Sequence, residues 1–206
     1  MVWLRAKLAP PLPPTLQEQL SKIEPGGSDR SKYFPCLVAL KDGTTRDCVY
    51  VVSQATLTRD WGFYPKGERN ISINDVASFR DSPSRLPAAF ANKLYSAGES
   101  LMGSAIFTVV FSDGSTQAYS TGDMIDFISY PDGKSPADVV DVLPHVGRNA
   151  TPQKGRHSYL CLYSDDETLR LLPTGLLEPR AVPGQRPGQW LRTRIRRLIR
   201  YPHTDI

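Results

Sequence analysis

Ile106 to Tyr119 reads IFTVVFSDGSTQAY. Six residues suited to a pleated, half-buried surface lead into Ser-Asp-Gly-Ser, and a second extended run leads out. Asp113-Gly114 fits a two-residue type I′ turn, in which both central residues need positive φ. The stretch predicts a β-hairpin. The device recurs: Cys36 to Val52 turns on Asp42-Gly43, and Ser158 to Leu172 offers Asp165-Asp166. Three hairpins, with turn signals every dozen or so residues, predict a mainly β (α+β) protein. Its expected form is small antiparallel sheets or partly open barrels with two or three short helices.

The helices are read from caps and periodicity. Thr15 to Glu18 has the form of a capping box, and Leu16, Leu20 and Ile23 follow at helical spacing. Leu86, Phe90 and Leu94 recur every four residues, with Pro87 early and Gly98 after the last turn. Leu57 to Asn70 reads as a long loop or irregular hairpin, and Thr121 to Tyr130 as a further strand. Ser135-Pro136-Ala137-Asp138 has helix-start signals before a β-like Val139 to Val142, so one helical turn and a short strand both stay open there. Asp138 to Val142 echoes Asp75 to Phe79, and each follows a DG turn. That suggests two diverged units, 33–98 and 99–147, within a hairpin-built β domain over 33–147. A proline-rich arm and short helix, 1–32, precede it. A third hairpin, a Pro/Gly-rich segment and a basic helix, 148–206, follow. In outline, the strand–DG–strand pattern with an Ile-rich strand after it is similar to small SH3-like barrels. That likeness implies a fold only.

The chain has 206 residues, and its net charge is +4. The average conceals an asymmetry. Residues 180–206 hold seven Arg and one Asp, and the rest of the chain is left with 18 Lys+Arg and 20 Asp+Glu. The basic character therefore belongs to Trp190 to Tyr201, WLRTRIRRLIRY. There Leu191, Ile195, Leu198 and Ile199 share one helical face, and Arg192, Arg194, Arg196, Arg197 and Arg200 cover the remainder. The pattern fits a helix docked through its apolar face, a membrane-surface helix or a phosphate-binding helix. A second candidate binding element is Trp61 to Tyr64, where Trp61, Phe63 and Tyr64 stand beside Lys66 and Arg69.

No apolar run reaches the length of a transmembrane helix, and the N-terminal apolar stretch is too short and proline-broken for a signal peptide. Three cysteines without a CxxC pair fit a reducing compartment and no zinc site. The expectation is a cytoplasmic protein without cofactor or metal. A two-residue turn at Asp42-Gly43 would set Cys36 opposite Val49 and leave Cys36 and Cys48 on opposite faces. A three-residue loop would set the two thiols opposite each other.

Signals for catalysis are sparse. Gly98 to Gly103, GESLMG, lacks the second glycine spacing of a nucleophile elbow and the lysine of a phosphate-binding loop. No run of aspartates fits a calcium loop. His145 is the strongest acid–base candidate, with Asp141 and Asp126 as carboxylates to orient it. On balance the reading is a non-catalytic binding or adaptor protein that engages a protein partner or an anionic surface such as nucleic acid or membrane through 190–201. The alternatives are a hydrolase-like enzyme with a cleft around His145, or a specific inhibitor or immunity-type protein.

Overall fold

Both DG turns close a hairpin, by a different geometry from the expected one. The structure, a computed structural model, describes residues 8–28, 31–61, 69–148, 150–156 and 158–171. Gly43 and Gly114 take φ of 85° and 81°, whereas Asp42 and Asp113 stay at negative φ. The Gly43 N–H donates to Leu40 O at 3.1 Å, and Leu40 N–H to Thr44 O at 2.8 Å. This is a three-residue loop: a type I turn with the glycine as its left-handed bulge residue. Each aspartate fixes its turn from inside. Asp42 Oδ1 accepts Thr44 N–H and the Thr44 hydroxyl, and Asp113 Oδ1 accepts the same pair from Ser115.

Such a loop alone would face Cys36 with Cys48. Instead β2 (Ser31–Leu40) and β3 (Thr45–Ser53) slip between Cys36 and Val38, so Asp47 and Cys48 together oppose Leu37 and Cys36 pairs with Val49. Cys48 is the bulge residue, at φ 57°. The slip restores the opposite-face arrangement of the two cysteines. Cys36 joins Val49, Val51 and Cys161 on one side of β3, while Cys48 joins Tyr50 and Val52 on the other. All three cysteines are buried free thiols.

In order, α1 (Pro14–Leu20) and β1 (Gly26–Ser28) precede the first hairpin. After it come α2 (Gln54–Trp61), β4 (Asn70–Ser72) and β5 (Val76–Asp81). Then α3 (Ala88–Ala97) leads to the second hairpin, β6 (Ala105–Phe111) and β7 (Thr116–Thr121). Last come β8 (Val139–Pro144), β9 (Gln153–Lys154), β10 (Tyr159–Tyr163) and α4 (Asp166–Leu171). One sheet runs β1-β2-β3-β10-β4 with β5 also on β2, and the other runs β8-β6-β7-β9. Both are open and mixed, because β10 lies parallel to β3 and β4, and β9 parallel to β7. The protein is thus mainly β with α helices, without a closed barrel among the described residues. No described helix is long and apolar enough to cross a membrane.

Two stretches repeat one pattern. In each, a proline opens a helix, with Pro13 O receiving Leu16 and Gln17 N–H, and Pro87 O receiving Phe90 and Ala91 N–H. A DG hairpin follows. A single 3₁₀ turn, Ile73–Asp75 or Pro136–Asp138, then feeds a strand that pairs antiparallel with the hairpin's first arm. Asp75 O accepts Lys41 N–H, and Asp138 O accepts Ser112 N–H, both at 2.8 Å. Even the outer strands are finished alike. Phe79, opposite Val38, gives its outward N–H to Gln19 Oε1 of α1. Val142, opposite Val109, gives its own to Asp141 Oδ1, which Lys93 of α3 holds by an ion pair.

Four segments depart from expectation. Of the hairpin expected over Ser158 to Leu172, the described residues 158–171 form none: after β10, Asp165 accepts the N–H and hydroxyl of Thr168 and starts α4. A carboxylate three residues ahead of a threonine is a helix-start device rather than a hairpin turn. The start of Leu57 to Asn70, expected as a long loop or irregular hairpin, instead belongs to α2 as far as Trp61. Thr121 to Tyr130 makes isolated bridges from Phe127 to Arg85 and from Ile128 to Gly155 rather than a strand. The N-cap of α1 is Pro13, without a side-chain cap, so Thr15 to Glu18 is not a capping box. The helix expected at 190–201 lies outside the described residues.

Candidate functional site

The three residues weighed for catalysis go to three separate structural tasks around α3. Asp141 pairs with Lys93 at 2.7 Å. His145, exposed and at φ 62°, sets its Nε2 3.1 Å from Ala97 O and its Nδ1 2.9 Å from Ser100 Oγ. Ser100 Oγ also accepts Ile106 N–H and lies 3.0 Å from Ile106 O, to which it can donate. This serine, in the GESLMG stretch that lacks the elbow's second glycine, is therefore held inside a main-chain pair. His145 clasps the end of β8 to the end of α3.

Asp126 is fully buried. Its Oδ1 accepts Arg85 Nε at 3.1 Å and its Oδ2 accepts the Tyr95 hydroxyl at 2.6 Å. Its own N–H donates to the Tyr50 hydroxyl, and its carbonyl accepts Leu86 N–H. Burial pushes the Asp126 carboxyl above its usual range, against the pull of Arg85 and Tyr95. Arg85 Nη1 reaches Glu24 O at 2.6 Å. Gly26 lies directly over the carboxylate: a β-carbon there would meet the two Asp126 oxygens at 2.7 and 2.8 Å. This buried hub ties β1, β3, α3 and the 122–128 segment together. Local sequence gave no sign of it, since its partners are 31 to 76 residues apart.

Beside the hub opens a cleft of about 370 Å³. Leu94, Tyr95 and Ile125 form apolar wall, Tyr33 stands at the side, and Asp60, Glu99 and Asp123 supply carboxylates. Asp60 accepts the Tyr33 hydroxyl at 3.0 Å and lies 3.5 Å from Arg59. Asp123 Oδ1 is buried and has no partner among the described residues. Burial raises the Asp123 carboxyl above its usual value, and the Glu99 and Asp60 charges raise it further. No group of three or more His, Cys, Asp or Glu is placed to hold a metal among the described residues. The arrangement suits an organic cation with an aliphatic stem: methylenes along Leu94 and Ile125, the charged head toward the acids.

The expected binding residues Arg192, Arg194, Arg196, Arg197, Arg200 and Tyr64 lie outside the described residues, and Trp61 enters only as the last backbone position of α2. Comparison with family models, curated proteins and solved structures gives no match for the chain. Its functional reading therefore rests on geometry and charge.

Proposed function

We propose that the protein is a non-catalytic binding protein whose cleft beside α3 takes a lysine or arginine side chain of a protein partner. The observation that carries this reading is the unpartnered Asp123 carboxylate oxygen, in a cleft that Asp60, Glu99 and an apolar wall also line. A cation there offsets the burial, and then the repulsion from Glu99 and Asp60, that raise the Asp123 carboxyl. The Arg-rich segment 190–201 is a second contact in the same reading, directed at an acidic partner or an anionic surface.

Two titrations test the two parts. Glycyl-arginyl-glycine amide, followed by amide chemical shifts of the full chain, should perturb Tyr95, Gly98 and Ile125, whereas the glutamate analogue should not. Binding should strengthen as pH rises through the carboxylate range and disappear in Asp123→Asn. Equal shifts with both peptides, or an unaltered response in Asp123→Asn, would remove the cleft from the proposal. For the tail, retention on immobilised heparin should fall steeply with salt and be lost when residues 180–206 are deleted. Retention unchanged by that deletion would remove the tail.

A further inference from the structure

The Arg85 guanidinium has a donor that the hub does not employ. Its Nε binds Asp126 and its Nη1 binds Glu24 O. Its Nη2 is buried and has no hydrogen-bond partner among the described residues, on a side chain only 6% exposed. An arginine can only donate, so a buried N–H of this kind calls for an acceptor from elsewhere.

Further donors stand at the start of α3. Its N-cap is Pro87, without a side-chain cap. Pro87 O receives the Phe90 and Ala91 N–H, and the first two N–H groups, those of Ala88 and Ala89, have no partner within the helix. Arg85, Pro87 and Ala88 line one pocket of about 360 Å³, which the end of β5 and the Pro136–Asp138 turn also border. The pocket shares no described wall residue with the cleft near the other end of α3. It is therefore a separate feature from the proposed cation site.

Charge decides which acceptor belongs there. Asp126 already pairs with Arg85 at 3.1 Å. Glu24 and Asp81, both exposed, line the same pocket, and no second cation does among the described residues. A phosphate or carboxylate would meet two like charges and a guanidinium that is already compensated. An uncharged carbonyl meets no such repulsion. An amide adds N–H groups that the two carboxylates can accept, while its oxygen accepts from the donors of Arg85 and the helix start. Leu86 and Pro136 supply apolar wall for a short alkyl stem. We infer that this pocket binds an uncharged carboxamide, either a small free amide or the side chain of a glutamine or asparagine in a partner.

The test follows the backbone amide and arginine Nε–H resonances of the full chain at neutral pH, with propionamide and propionate as probes. Propionamide should move Ala88, Ala89 and the Arg85 Nε–H along one saturable curve, and propionate should bind about tenfold more weakly or worse. Glu24→Gln with Asp81→Asn should bring propionate up to propionamide, since the two acids set the preference. Ala137→Phe, at an exposed wall position, should abolish saturation and leave the fold intact. Acetyl-glutamine methylamide, with acetyl-alanine methylamide as control, separates the sources. Tighter binding than propionamide by the glutamine compound alone assigns the pocket to a partner's side chain, and binding no tighter assigns it to a free amide. The inference is overturned if no probe saturates, or if propionate matches propionamide in the parent chain. It is equally overturned if Ala88 moves without the Arg85 Nε–H, or if Ala137→Phe leaves saturation unchanged.

Discussion

Gly26→Ala is the smallest change that reaches the buried hub. Gly26 does not need glycine for its backbone, because its φ is not positive. The obstacle is contact: an added β-carbon meets Asp126 Oδ2 at 2.7 Å, Asp126 Oδ1 at 2.8 Å and Tyr95 Cε2 at 2.9 Å. The carboxylate cannot swing aside, since Arg85 holds one oxygen and Tyr95 the other. Relief requires β1 to lift or one of these bonds to break. Overpacking costs about 1–3 kcal/mol, and a lost hydrogen bond to a charged group about 1.5–3 kcal/mol. The expected destabilisation is about 2–4 kcal/mol, or roughly 5–15 °C in melting midpoint for a unit of this size. Urea unfolding followed by tryptophan and tyrosine fluorescence measures it. Tyr95→Phe frees one oxygen, so the double variant should be less destabilised than the sum by about 1 kcal/mol or more. A single variant within about 0.5 kcal/mol of the parent, or strict additivity, would refute the reasoning.

At Gly114, where nothing obstructs a side chain, the cost is backbone alone. Gly114→Val should destabilise by about 1–3 kcal/mol, while Gly114→Asn, tolerant of the left-handed region, should lose under about 1 kcal/mol. The thiols should be silent at pH 8: burial and the Asp47 charge push Cys48 up to about 11, and burial pushes Cys161 up to about 12. Burial also raises Cys36 well beyond its usual range. A disulfide reagent should therefore titrate them at the unfolding rate, and a fast native phase would contradict the burial. Asp47 carries a pH dependence. Burial raises its carboxyl, yet the Ser82 and Ser84 hydroxyls prevail and leave it below the usual 3.8. A depressed native value gives stability that is present above the unfolded value and lost as pH falls through the native one. In Ser82→Ala with Ser84→Ala, the acid limb of the urea midpoint should move to higher pH; an unmoved limb would show that the serines do not hold the charge.

The hairpins were legible because Asp-Gly with flanking β-branched residues is a local signal, and α1 and α3 because proline starts and four-residue apolar spacing are local too. The turn type was not, because two-residue and three-residue loops share the Asp-Gly pair. The Cys48 bulge was hidden for a related reason: a non-glycine at positive φ leaves no mark in composition. α2 escaped because Gln54 to Leu57 is buried throughout and so shows no amphipathic period. Asp126 was singled out as a partner for His145 on sequence proximity. Its real partners, Arg85, Tyr95 and Tyr50, are brought to it only by the packing of distant elements. The cleft was missed likewise, since Asp60, Glu99 and Asp123 come from three separate segments.

The matched outer strands bear on how the chain folds correctly. Two helices with the same proline start, and two sheets with the same outer strand, present a choice of docking partner to a half-folded chain. The contacts at Gln19 and Lys93 decide it. On β8, Gln19 would leave the Asp141 carboxylate without its cation; on β5, Lys93 would leave the Phe79 N–H without an acceptor, because an ammonium can only donate. On β5 the exchange strands an N–H, and on β8 it removes the ion pair of a half-exposed carboxylate. Exchanging Gln19 and Lys93 should thus turn a single refolding phase into competing ones, with a slow fraction that must undo the wrong pairing before it can reach the native state.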